Sequence, residues 1–349
     1  MTSRLRLIGG TMSPYSRKMV ALLRYRHIPY QVIWGDINQK LPEMGIEKPK
    51  PVLYPVFLMP DKNGQEVATV DSTPIIRTLE SQYTGRSVLP DHPVMDFINS
   101  LLEDFGDEWC VKYMFHYRWN FKEDIRVSGP KLIYSSVNTL PKEPAKQMAD
   151  MFSQRQISRL FWVGSNETTA PLIEASYERF LILMDKHLEA QPFLLGSRPS
   201  SADFAVHGQL TQLIAEDPTP RRIAHDVSLR TVSWTDIMED QSGLDEKSAR
   251  WNAPSNLPET LMDILREVGR TYVPTMIANA KAVIAGEESW TCHVDGHTWE
   301  QPVNLYQAKC LKWIREEFKT LSTDHQHQAL EILSEAGCKP LIDASIEKK

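Results

Sequence analysis

The order of elements written into the first eighty-odd residues constrains this chain more than any other feature. Arg4-Leu5-Arg6-Leu7-Ile8 alternates, the period of a strand, and Gly9-Gly10 ends it. Ser13 reads as an N-cap with Pro14 at the first helical position, where a missing N–H costs nothing. Met19, Val20, Leu22 and Leu23 give that helix an apolar face, and Ile28-Pro29 breaks it before a second strand over residues 30–34. Strand, helix and strand in succession default to a right-handed parallel unit. Residues 35–55 carry Pro42, Pro49, Pro51 and Pro55 and read as irregular. Residues 56–59 and 66–70 flank Asp61-Lys62-Asn63-Gly64, a hairpin signal. Asp71-Ser72 then caps a helical element striped by Ile75, Ile76 and Leu79.

The order β-α-β, then β-β-α, is that of a small thioredoxin-like domain ending near Tyr83. From about Asp91 strand signals almost vanish. Val94, Phe97, Ile98, Leu101, Leu102, Phe105 and Trp109 recur at helical spacing, as do Ile173, Tyr177, Phe180, Leu181, Met184 and Leu188. A helix restarts near Gly196 and runs to about Ala215, and residues 234–238 and 261–284 continue the pattern. One β signal interrupts the last third, where residues 290–294 and 297–301 flank Asp295-Gly296. Residues 305–321 are helical again, with Leu311, Ile314, Phe318 and Leu321 as a stripe that needs a partner surface. The chain thus divides into 1–85, 91–240 and an extension, 241–349, expected to pack on the helical domain.

At 349 residues the chain buries a sizeable core without staples. Lys plus Arg is 39 against 45 Asp plus Glu, a net charge of −6, which argues against nucleic acid as the main partner. No apolar run approaches the length of about 20 residues that spans a bilayer, so no membrane association is expected. Met1 to Gly10 holds no apolar segment with a cleavage site, and the expected compartment is the cytoplasm. Cys110, Cys292, Cys310 and Cys338 form no C-x-x-C pair and read as free thiols.

Three motifs carry chemistry. In Ser13-Pro14-Tyr15-Ser16, serines stand where a redox motif needs cysteines, so disulfide exchange is excluded there. What remains is a hydroxyl at a helix N-terminus, suited to holding a bound thiolate, or a plain cap. In Tyr54-Pro55-Val56, a cis proline would turn the backbone of Val56 towards that helix, where an extended peptide-like ligand adds as a strand; an ordinary strand-start proline is the alternative. In Asp71-Ser72-Thr73-Pro74, Ser72 would cap a helix whose N–H groups take a carboxylate, while Asp71 takes an ammonium.

In this order and spacing the motifs resemble the cytosolic glutathione S-transferase superfamily with a serine-type active-site motif. A fourth match, Gly196-Ser197-Arg198-Pro199-Ser200-Ser201-Ala202-Asp203, is similar to the family's capping segment, with Asp203 returning a hydrogen bond to the Ser200 backbone. The resemblance covers about residues 4–240. It implies an α/β thioredoxin-like N-terminal domain, then an all-α glutathione-transferase-type domain with a helical extension containing a β-hairpin. It implies glutathione as co-substrate, Ser13 as the catalytic hydroxyl, and Pro55, Val56, Asp71 and Ser72 as glutathione contacts. Lys50, or Lys48, would meet the glycyl carboxylate. It implies a homodimer joined across the N-terminal domain of one subunit and the helical domain of the other.

The acceptor pocket implied by the resemblance falls on residues 107–119, rich in aromatics with polar tips. Trp109, Tyr113, His116 and Tyr117 share a helical face there; burial of that face by the extension is the alternative. Cys110 would be reactive only if exposed beside it. The expected function is a transferase that activates the glutathione thiolate for attack on a small, partly apolar electrophile. Ether cleavage, dehalogenation and isomerisation share that first step. The rival is a non-catalytic protein of the same fold whose extension fills the pocket. No metal site is expected, because across the two-residue turn only Cys292 and His297 converge.

Overall fold

The computed structural model describes residues 4–343. β1 (Leu5–Gly9), α1 (Pro14–Tyr25), β2 (Tyr30–Trp34), α2 (Ile37–Glu43), β3 (Val56–Pro60), β4 (Glu66–Thr69) and α3 (Ser72–Gln82) form the first domain. Its sheet runs β2-β1-β3-β4, with β1 and β2 parallel and the other pairs antiparallel. The pleat sends Leu7, Phe57 and Met59 to the main core, and Ile8, Val56 and Leu58 to a smaller one with Ile37 and Leu41. Those last two belong to α2. Residues 35–55 are therefore not wholly irregular: Asp36 caps the helix, accepting from the Asn38 N–H at 2.9 Å, and Pro42 sits in its last turn.

The rest is helical apart from one hairpin. α4 (Pro93–Glu108), α5 (Cys110–Asn120), α6 (Lys122–Ser136), α7 (Lys142–Ile157), α8 (Ala170–Ala190), α9 (Ser201–Leu210), α10 (Pro218–Val227) and α11 (Leu229–Met238) precede the extension. The extension holds α12 (Glu259–Glu267), α13 (Val273–Ala285), β5 (Ser289–Val294), β6 (His297–Pro302), α14 (Leu305–Thr320) and α15 (Thr323–Glu335). Two long sequence stripes are each interrupted by a π-helical turn, at Thr211–Glu216 after α9 and Val268–Tyr272 between α12 and α13. The hairpin pairs Val294 with His297 and Cys292 with Trp299, around Asp295 (φ 49°) and Gly296 (φ 79°) in the left-handed region.

One continuous core joins the three stretches. Leu7, Leu102, Phe180, Leu265, Trp299 and Leu333 belong to it, each no more than 1% exposed. α9 lies along α1 and α4, α12 on α8, and α14 and α15 on α4. At the capping segment, the Asp203 carboxylate accepts from the backbone N–H of Ser200 and of Leu194, both at 2.8 Å. Burial raises that carboxyl to about 6.

Candidate functional site

Ser13 caps α1. Its Oγ accepts from the Ser16 N–H at 3.2 Å, and the Ser16 hydroxyl accepts from the Gly10 N–H at 3.1 Å. The turn is also held from the helical domain. Arg118, buried on α5, donates to the Met12 carbonyl at 3.1 Å, and the Gln212 amide to Thr11 at 3.4 Å. Arg118 is itself fixed by Asp217 at 2.9 Å, whose other bond is to Ser128 at 2.6 Å. α9 approaches α1 closely at Gly208, where a Cβ would stand 2.5 Å from the Pro14 carbonyl oxygen. Tyr15 cannot serve as an alternative acid. Its hydroxyl donates to the Asp107 carbonyl at 2.9 Å, and burial raises it well above the ordinary phenol.

Val56 follows the cis Tyr54–Pro55 bond and pairs with Ile8 of β1. The β3–β4 register begins at Phe57↔Thr69, so β4 stops one residue short of Val56. Asp71 lies at φ 85° and occupies the N-cap position of α3, without a side-chain cap. Ser72 is thus the first helical residue rather than the cap. Its hydroxyl accepts from Lys18 of α1 at 3.2 Å. Lys18 is fully buried, with Glu103 at 2.9 Å and Asp107 at 2.6 Å. Burial raises the Glu103 carboxyl, but Lys18 and Arg77 outweigh it and hold it at about 2. Burial also raises Asp107, against the pull of Lys18, to about 7. Lys48 and Lys50 are both exposed, and Lys48 bonds Asn38 at 3.2 Å.

The predicted acceptor face is not a pocket. Trp109, Tyr113 and His116 are 0% exposed and Tyr117 is 1%. The Trp109 indole donates to Tyr113 at 2.7 Å, Tyr113 shares a 2.7 Å bond with Ser176, and Ser176 donates to Glu267 of the extension at 2.8 Å. Trp299 of the hairpin lies on Trp109 with ring centres 5.3 Å apart. His116 is tied to Ser165 at 2.8 Å and Glu174 at 3.2 Å, and Tyr117 stacks on Phe121. Helical spacing rightly places these residues on related faces, but the extension covers Trp109 and backs Tyr113 through Ser176, while the helical domain itself encloses His116 and Tyr117. Cys110 is buried too, and its thiol is raised far above its ordinary value by burial.

Two clefts remain. The larger, about 590 Å³, is lined by extension residues including Val273, Ile277, Lys281, Trp290 and Cys292, and by none of the predicted site residues. The second, about 470 Å³, is lined by Val127, Lys131, Glu216, Arg221, Arg222 and His225. It adjoins Asp217, the partner of the arginine that holds the Met12 carbonyl. Sequence reasoning missed Lys18 and Arg118. The signal for Lys18 was available: a lysine one turn before Leu22 falls on the apolar stripe of α1. Nothing in the sequence marked Arg118 among its aromatic neighbours.

Residues 7–87 match the family model described as the glutathione S-transferase N-terminal domain. The first domain is of the glutathione S-transferase type. Among solved structures, the chain is similar to a glutathione S-transferase from Rhodospirillum rubrum F11, with 17% identity over 71% of this chain and 96% of that one, TM-score 0.43. It is similar to FzlA from C. crescentus, with 14% identity over 72% and 97%, TM-score 0.45. It is also similar to a glutathione S-transferase of Ceriporiopsis subvermispora in complex with glutathione, with 16% identity over 68% and 99%, TM-score 0.44. No curated protein matches the sequence. Behind this glutathione S-transferase-type domain, no helix among the described residues is long and apolar enough to cross a membrane. Also among the described residues, no group of three or more His, Cys, Asp or Glu side chains is placed to hold a metal ion.

Proposed function

We propose that the protein is a glutathione transferase that binds glutathione on its first domain and activates the thiol at Ser13. The observation that carries this reading is the Ser13 cap. Its oxygen accepts the Ser16 N–H, which leaves the hydroxyl hydrogen to donate to a bound sulfur. That donation, added to the positive end of α1, favours thiolate over thiol. The cysteinyl backbone would pair with Val56, and the γ-glutamyl end would meet Asp71 and the N–H groups of α3. The acceptor electrophile would enter beside the Lys131, Arg221 and Arg222 cleft, where Glu216 offsets Lys131 and the two arginines suit an anionic compound. Conjugation, dehalogenation, ether cleavage and isomerisation all start from the same thiolate.

A second reading, glutathione binding without turnover, draws on the extension covering Trp109 and Tyr113. Ultraviolet titration of bound glutathione, with turnover of anionic and neutral electrophiles, separates the two. In a transferase, Ser13→Ala raises the bound thiol pKa by one to two units and lowers turnover about ten- to a hundredfold, while glutathione affinity changes little. Equal thiol pKa values in wild type and Ser13→Ala would sink the catalytic role.

A further inference from the structure

The extension reaches the first domain near its start, where Ser242 meets His27, and again at Tyr306. Tyr306, in the first turn of α14, donates its hydroxyl to Asp71 Oδ1 at 3.0 Å, across 235 positions of sequence. The contact is braced on both sides. Asn304 caps α14, accepting from the Tyr306 N–H at 2.9 Å, and is itself tied to Asn279 of α13 at 2.8 Å. Lys309, one turn on, lies 5.7 Å from the Tyr306 ring centre and 4.2 Å from that of Trp313. Further along α14, Glu317 accepts from Ser100 of α4 at 2.8 Å, and Phe318 meets Phe97. The phenol is therefore carried by an anchored helix.

We propose that Tyr306 is a positioning residue of the γ-glutamyl subsite: the extension holds the Asp71 carboxylate so that its other oxygen meets the α-ammonium of a γ-glutamyl peptide. This rests on the glutathione reading and adds to it a residue of the extension that sets the geometry of the carboxylate meeting the α-amino group. The chemistry is simple. Asp71 is half-buried, and burial pushes its carboxyl up. The Tyr306 phenol on Oδ1, with Lys309, Lys18 and the Thr73 N–H, favours the charged form, and the phenol fixes the rotamer in which Oδ2 would meet the ligand's ammonium. Burial and the neighbouring Asp71 carboxylate raise the Tyr306 phenol, so it remains a neutral donor.

The test is calorimetry on the full chain with two ligands, glutathione and glutaryl-cysteinyl-glycine, which lacks only the α-amino group. Tyr306→Phe keeps the ring and removes the donor. It should weaken glutathione about ten- to thirtyfold and leave the glutaryl analogue within about twofold. In an Asp71→Asn background, the same substitution should change glutathione affinity by less than about twofold, because the carboxylate it positions is gone. With a transferase assay, KM for glutathione rises and kcat holds. Equal losses for both ligands would make Tyr306 a structural prop and overturn the proposal, as would unchanged glutathione affinity in Tyr306→Phe. Wild-type protein that fails to bind glutathione at all overturns the glutathione reading itself, and this proposal with it.

Discussion

Lys18 shows how one side chain couples the candidate site to the fold. Its ammonium touches Ser72 of α3 and both Glu103 and Asp107 of α4, with no exposure to water. Replacing it with Met strands two buried carboxylates, with Arg77 at 3.1 Å left to balance Glu103. Breaking a buried pair from one side costs roughly 3–5 kcal/mol, because the remaining charge is uncompensated. Urea unfolding of Lys18→Met should show a loss of that size, whereas Ser13→Ala should lose only about 1 kcal/mol, the worth of a cap. A Lys18→Met protein as stable as wild type would show that the network is not held together by its charge. Ser13, Pro55 and Asp71 were legible because caps, prolines and acidic turn residues act within a few positions of themselves. Trp109 and Tyr113 were not, because what covers a helix face is decided by residues far along the chain, here Trp299 and Glu267.

α1 is the element on which the proposed chemistry turns, and it is clamped at both ends by the helical domain. Gly208 of α9 meets its first turn, where a Cβ would stand 2.5 Å from the Pro14 carbonyl. Gly208→Ala therefore has to displace either helix. It should lower turnover more than Ser13→Thr, and a crystal structure should show the 10–14 turn moved away from α9. Glu239, just past α11, binds Arg17 at 2.8 Å and Arg24 at 2.6 Å. Burial raises its carboxyl, but His207, Arg17 and Arg24 outweigh it and hold it at about 2. A carboxyl depressed on folding stabilises the protein above its unfolded pKa, about 4.3, and loses that contribution as pH falls towards about 2. That drop in pKa of roughly two units corresponds to about 3 kcal/mol at neutral pH. Glu239→Gln should flatten the stability curve between about pH 4.5 and 2, measured by urea midpoints; parallel curves would assign Glu239 no part in acid sensitivity. α1, β1 and the 56–70 hairpin could be read from period and punctuation. α2 could not, because Pro42 argued against a helix that Asp36 nonetheless starts.

At the scale of the whole molecule, the extension decides what the surface is. Its need for a partner was legible in the stripe of Leu311, Ile314 and Phe318; that the partners are α13 and α4 was not, since α4 already showed an apolar face suited to the core beneath it. α14 and α15 pack on α4, and α14 touches the start of α3. Tyr306 meets Asp71 at the start of α3, Glu317 meets Ser100, Phe318 meets Phe97 at 5.7 Å between ring centres, and His325 meets His92 at 5.1 Å. Ser100 also accepts from Arg77 of α3, so three helices share one bond network. The family resemblance implied a homodimer joined between the first domain of one chain and the helical domain of another. Here α14 and α15 pack on α4 of the same chain, so part of the helical domain's surface is covered by the extension. The homodimer is the expectation from the resemblance; with that surface covered, we propose a monomer instead. Light scattering after size exclusion should give 40.0 kDa, the mass of one chain, independent of concentration. Removing residues 305–343 should uncover Phe97, Val94 and Leu101, and the shortened protein should associate or aggregate rather than remain a soluble single chain. A full-length particle of twice the mass would show that the pairing surface lies elsewhere, and a stable monomer without α14 and α15 would show that they cover nothing that needs covering.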